Sequence, residues 1–289
     1  MARYLFFLLD GEMSSLDRRR LQTTASIYVE DGKTFVRIMD LPKANLEKTL
    51  HKIGSAGLRR LDRSFDLGVM PKHKDPSEES IAAYRLGAYD AGLPANPESD
   101  FEETKPSFKG CRRVKYDVAL QVFRNPEGHI AAIGLETVVD EKFADFLKSL
   151  DQGMVLDDVI WKGKKIAWHR IEKASRRVSI LNRRLSFDPM VHCQSCGVKL
   201  KPLRSTLIAR PGVKLEGEQF FCNLEGYGHS AREPIFILSL EAGRKLASIY
   251  RSGYVLNPIY SSDSQTAKYM REIEKLLDEY VPARSQKPL

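Results

Sequence analysis

Cys193-Gln-Ser-Cys196-Gly197, followed by Cys222 and His229, constrains this chain more than any other stretch. A Cys-x2-Cys pair lets two thiolates reach one tetrahedral ion, and the glycine after it relieves the tight turn. Cys222 and His229 complete a Cys3His set, with His192 as the alternative fourth ligand. The spacing therefore predicts a structural zinc module over 190–232, with Zn2+ bound as a staple. A redox dithiol fits less well, because Val198-Lys-Leu-Lys-Pro-Leu203 reads as strand where a thioredoxin-like motif needs a helix. A disulfide framework suits small secreted domains, and this chain has 289 residues. Catalytic zinc needs an open coordination position and His-rich or carboxylate ligands. The deaminase pattern His-x-Glu does not occur. Cys111 is left over and reads as a small buried residue.

Charge is distributed unevenly. Residues 162–214 hold fourteen Lys and Arg against Glu172 and Asp188, a local charge of +12 within a chain whose total is +8, so the rest sums to −4. Lys162, Lys164, Lys165, Arg170, Lys173, Arg176, Arg177, Arg183 and Arg184 are the expected phosphate contacts. Trp161 and Trp168 are interleaved with them, and Trp168 or Trp161 is the expected base-stacking ring. A basic, aromatic-containing face attracts a phosphate backbone by counterion release. The expected partner is DNA or RNA, with further protein partners in a larger complex and no membrane.

Catalytic signatures are scarce. The chain has no phosphate-binding loop of the Gly-x4-Gly-Lys-Ser/Thr kind, no Gly-x-Gly-x-x-Gly, no Gly-x-Ser-x-Gly and no His-Glu-x-x-His. No residue is assigned a catalytic role. His169, beside Arg170, is the one side chain suited to act as a base on a ribose hydroxyl. The sequence thus reads as a zinc-containing, non-catalytic nucleic-acid-binding subunit. Two alternatives stand beside it: a protein-docking adaptor using the zinc module, and a metal-independent RNA-processing enzyme.

Hydrophobic patterning indicates an α+β chain in three parts. Residues 1–70 read as a small N-terminal α/β unit. Tyr4–Leu9 is an apolar strand, too short to span a bilayer and lacking a cleavage site. The expected location is the cytoplasm or another intracellular compartment, nucleoid and nucleus included. Asp31-Gly32 between two apolar runs predicts a hairpin, and Leu46, Leu50 and Ile53 fall at helical spacing. Residues 71–110 read as a polar connector containing one helix, opened by Asp75-Pro76-Ser77-Glu78 and carrying Ile81, Tyr84 and Ala88.

Residues 111–289 read as an antiparallel β-rich half with the embedded zinc knuckle and a C-terminal helix. Val114 to Val122 alternate as one strand, and His129 to Val139 is the returning strand. A helix carrying Phe143, Phe146 and Leu147 follows, then a hairpin turned at Lys162-Gly-Lys164. Ile235 to Leu238 is a short buried strand, and Ser239 caps the next helix. Ser262 and Gln265 suit a capping box for the last helix, with Ala267, Met270, Ile273, Leu277 and Tyr280 as its stripe.

Overall fold

The computed structural model describes residues 2–10, 13, 19, 25–30, 33–39, 43–61, 65–70, 81–87, 89–90, 101–103, 112–114, 120–122, 126, 128–133, 136–187, 191–192, 199–200, 203–223 and 235–284. These form a mixed α+β protein, mostly β, with four helices among the described residues. The chain begins with β1 (Ala2–Asp10), β2 (Ser26–Glu30), β3 (Lys33–Met39), α1 (Lys43–Ser55), β4 (Arg59–Arg60) and β5 (Asp66–Met70). It continues through β6 (Ile81–Gly87), β7 (Tyr89–Asp90), β8 (Phe101–Glu103), β9 (Arg112–Val114), β10 (Leu120–Val122), β11 (Ile130–Ile133) and β12 (Glu136–Asp140). Helix α2 (Glu141–Leu150) leads to β13 (Val155–Trp161), β14 (Lys164–Lys173), β15 (Arg177–Val178), β16 (Val191–His192) and β17 (Lys199–Leu200). Last come β18 (Leu207–Ile208), β19 (Phe220–Asn223), β20 (Ile235–Ser239), α3 (Leu240–Ile249), β21 (Val255–Tyr260) and α4 (Gln265–Tyr280).

The first sheet has the order β2-β3-β1-β4, with β5 also paired to β1, and all its pairings are antiparallel. Strand period sorts its side chains. Leu5, Phe7 and Leu9 are buried on one face with Val36 and Ile38, while Tyr4, Phe6 and Leu8 stay half-buried on the other. The buried face meets Leu46, Leu50 and Ile53 of α1. It also meets Ala267, Met270, Ile273 and Leu277 of α4, so the last helix completes the core of the first sheet. Arg60 fixes this junction from within. Its buried guanidinium donates from Nε to the Val281 carbonyl (2.8 Å) and from Nη2 to Asp278 (2.6 Å).

Two six-stranded sheets follow, ordered β10-β13-β14-β12-β11-β7 and β15-β19-β20-β6-β21-β18. Their facing sides, with α2 and α3, enclose one cluster that includes Ile130, Val139, Phe143, Leu147, Phe220, Phe236 and Leu246. The opposite faces bury Ala131, Val138, Val159 and Trp168 in one case, and Phe221, Ile237 and Ile259 in the other. Among the described residues, no helix is long and apolar enough to cross a membrane.

Several expected elements take another form. The helix expected around Ile81, Tyr84 and Ala88 is strand β6, running antiparallel between β20 and β21. Ile81 and Ala83 are buried and alternate with the half-buried Ala82 and Tyr84, so the apolar residues follow a period of two at this end. Two flanking ladders override the local helical signal. The capping residues 75–78 and Ala88 lie outside the described residues. The expected connector 71–110 therefore carries strands of both C-terminal sheets, β6 and β7.

The expected single strand from Val114 to Val122 belongs at its ends to two sheets, since β9 pairs with β8 and β10 pairs with β13. The run from His129 to Val139 is a hairpin rather than one strand, with Ile130 opposite Val139 and Ala131 opposite Val138. Ser264, not Ser262, caps the last helix, accepting from the Ala267 N–H (3.1 Å). Strand β21 has no counterpart in the sequence reading, because Asn257-Pro258 resembles a turn. Pro258 is tolerated there because the neighbouring β18 pairs only with Ile259 and Tyr260.

Candidate nucleic-acid interface

The β13–β14 hairpin is closed by Lys162 and Gly163, both at positive φ (49° and 73°), between paired Trp161 and Lys164. Two left-handed residues in a two-residue loop match the twist of the flanking strands. Lysine is unusual there, and its Nζ lies 4.6 Å from the Trp161 ring centroid. That cation–π contact offsets part of the strain. Lys162, Lys164 and Lys165 are exposed at this tip. Lys165, 59 % exposed, pairs with Asp158 at 2.7 Å.

At the far end of β14, Lys173, Arg176 and Arg177 are exposed too. A ten-residue strand separates the two groups by about 30 Å. Arg183 and Arg184 are exposed in the turn that follows. Arg184 is 76 % exposed, but its Nε donates to Glu274 of α4 (3.1 Å), which raises its pKa above the usual guanidinium value.

Two of the expected contacts face inward. Trp168, only 6 % exposed, packs with Val159 and Val138. Arg170, 1 % exposed, donates to Asp157 on the partner strand. Neither presents its side chain at the surface. Among the tryptophans, the half-buried Trp161 is the one placed beside the exposed lysines.

Of the expected zinc ligands, Cys193, Cys196 and His229 lie outside the described residues, as does Cys111. Cys222 is described: it is half-buried on β19 and packs against the cluster between the two large sheets. Burial pushes its thiol pKa up, while Arg177 and a backbone hydrogen bond from Ile235 pull it down. The alternative ligand His192 belongs to β16. Strands β16 and β17 pair antiparallel with Val191 opposite Leu200, so the Cys-x2-Cys segment connects two arms of a ribbon. The ribbon continues inward through the Phe187–Leu203 bridge and the bond from Arg204 N–H to the Ser186 carbonyl (3.0 Å). Among the described residues no cluster of three potential metal ligands occurs.

The basic segment and the cysteine strand are joined directly. Arg177 is in register with Cys222, and the Cys222 N–H donates to the Arg176 carbonyl at 2.9 Å.

One polar constellation escaped the sequence reading. His129 Nδ1 lies 2.8 Å from Asp140 Oδ2, and the ring edge meets Tyr250 at 4.6 Å between centroids. Asp140 also caps α2, its Oδ1 accepting from the Phe143 N–H (2.8 Å). Desolvation, then the charges of Asp140 and Asp145, raise the Tyr250 pKa. An Asp–His pair of this kind orients an imidazole for proton transfer. His169 lacks such a setting in the ladder, where its register partners are Val139 and Asp158. Asp140→Ala removes a helix cap and a charge-assisted bond together and is expected to cost about 2 kcal/mol in urea unfolding. Asp140→Asn should cost less than half of that, because the cap survives.

No protein-family model, curated protein or solved structure matches the chain.

Proposed function

We propose that this protein is a zinc-containing nucleic-acid-binding subunit, with phosphate contacts along the face that runs from the β13–β14 tip to β15. The observation that carries this reading is the direct hydrogen-bonded pairing of Arg176–Val178 with the strand of Cys222. A metal bound through Cys222 would stiffen the strand against which Arg176 and Arg177 are laid. Cys193, Cys196, Cys222 and His229 would hold the Zn2+, and its chemistry there is structural: it cross-links the ribbon tip to β19. Burial raises the Cys222 thiol pKa by more than the neighbouring Arg177 lowers it, so the bound metal itself would supply the deprotonation that coordination requires. Lys162, Lys164, Lys165, Lys173, Arg176, Arg177 and Arg183 supply the cations, and Arg184 contributes less because Glu274 already engages it.

The test is binding of labelled duplex and single-stranded DNA and RNA, with zinc content determined on the same sample. About one zinc per chain is expected. Arg176/Arg177/Arg183/Arg184→Ala should weaken binding on the order of 100-fold and flatten the salt slope by about three. Absence of binding to all four polymers at low salt would sink the reading and leave the zinc ribbon as a protein-docking arm.

A second reading, a metal-independent RNA-processing enzyme, is favoured by one observation, the Asp140-oriented His129 beside Tyr250. RNA cleavage abolished by His129→Ala but retained in His169→Ala would establish it.

A further inference from the structure

The outer face of the first sheet carries a patch of partly buried aromatic side chains. Strand period places Tyr4, Phe6 and Leu8 of β1, and Phe35, Arg37 and Met39 of β3, opposite the face that packs on α1 and α4. All are half-buried except Met39, which is exposed. They are interleaved across the two central strands by register, with Tyr4 opposite Met39, Phe6 opposite Arg37 and Leu8 opposite Phe35.

Two diagonal contacts turn these residues into a platform. Phe6 and Phe35 stack with centroids 5.6 Å apart and planes inclined by 29°. The Arg37 guanidinium lies 5.0 Å from the Tyr4 ring centroid. These rings are only partly buried by the fold, so a ligand laid across them would complete their burial. The charge pattern selects the ligand. Asp10 is held by Arg284 (3.0 Å), and Asp66 accepts from the Ser205 N–H (3.0 Å) and hydroxyl (2.6 Å) and from the Tyr4 hydroxyl (3.3 Å). Asp10 and Asp66 are thereby engaged, Glu30 of β2 stands opposite Lys33 in register, and Arg37 and the exposed Arg59 of β4 add positive charge. Aromatic rings beside guanidinium groups on an open antiparallel sheet suit unpaired bases joined by phosphates.

We infer that the β1–β3 face is a second nucleic-acid site, one that stacks the unpaired bases of a single strand. Phe6 and Phe35 form the stacking surface, and Arg37 bridges to the strand's phosphates. A duplex buries its bases and gains nothing from this face. The basic face on β13–β15 has no such restriction, so the two sites differ in the polymer they take.

The experiment uses the full chain and two probes, a 12-nucleotide oligo-uridine and a 20-base-pair mixed-sequence duplex. Phe35→Ala is expected to weaken oligo-uridine binding on the order of tenfold, while duplex binding stays within twofold. The Arg176/Arg177/Arg183/Arg184→Ala variant should show the reverse preference. Photo-crosslinking the wild-type chain to 5-iodouridine oligomers removes any dependence on the folding of variants. Crosslinks in the peptides of Tyr4, Phe6 or Phe35 support the site. Crosslinks confined to residues 161–184 overturn it while the basic-face reading stands. Oligo-uridine crosslinked to the sheet without duplex binding supports the sheet and overturns the basic face. Concentration-dependent dimerisation abolished by Phe35→Ala, with no crosslink at the sheet, would assign the face to a second copy instead.

Discussion

Raising the salt from 50 to 200 mM is expected to weaken duplex binding by about a thousandfold. The slope follows from the number of cations that can reach phosphate. Seven of the basic side chains between Lys162 and Arg183 are exposed, and Lys165 divides its charge with Asp158. Roughly six phosphate contacts give a slope of log K against log salt of about −5, and a fourfold rise in salt then costs about three orders of magnitude. The buried Arg170 and the Glu274-bound Arg184 are left out of that count for physical reasons. Counting all the basic residues of 162–214 would predict a far steeper slope. A titration across a series of salt concentrations therefore tests the sorting of these residues as well as the partner. A slope near zero would exclude a phosphate-dominated interface. A slope of about −10 would mean that cations outside this face take part.

That sorting marks where sequence reasoning reached its limit. The hairpin from Val155 to Lys173 was legible, because Lys162-Gly163 separates two runs of strand character. The cap at Ser239 was equally local. What could not be read was which face of each strand would be covered. In β14 the period of two puts Ile166, Trp168 and Arg170 on one side, but only the packing of Trp168 and Ile166 with Val159 and Val138 makes that side interior. Charge counted along the sequence therefore overstates charge at the surface.

Long-range pairing hid the rest. β6 is central in its sheet, yet its ladders come from β20 and β21, far along the chain. Without them its apolar spacing suits a helix as well as a strand. The His129–Asp140 pair disappeared for a related reason. Once 129–139 is taken as a single strand, residues at its two ends cannot meet. The fold-back at β11–β12 brings them within hydrogen-bond distance. The aromatic face of the first sheet was hidden in the unbroken apolar run Tyr4–Leu9, and its stacking depends on register, which is a tertiary fact.

Gly54→Ala is expected to destabilise the protein by about 3 kcal/mol, at the upper end of what overpacking costs. Gly54 lies near the end of α1, where that helix meets the last turn of α4. A Cβ at this position would overlap the Tyr280 carbonyl oxygen and stand 3.0 Å from its carbon. Both are backbone atoms, so no side-chain rotation relieves the clash, and α4 itself must withdraw. Withdrawal is costly because Ala267, Met270, Ile273 and Leu277 are fully buried against the first sheet. It also pulls on Arg60, whose hydrogen bonds reach Val281 and Asp278 just beyond and within α4. Gly57 is the internal control. It sits at φ 74° with nothing within 4 Å of where a methyl would go, so Gly57→Ala bears only the left-handed penalty of about 1 kcal/mol. Urea unfolding of the two variants separates these causes. If Gly54→Ala costs no more than Gly57→Ala, the two helices do not meet at this glycine, and the docking of the C-terminal helix onto the first sheet must be redrawn.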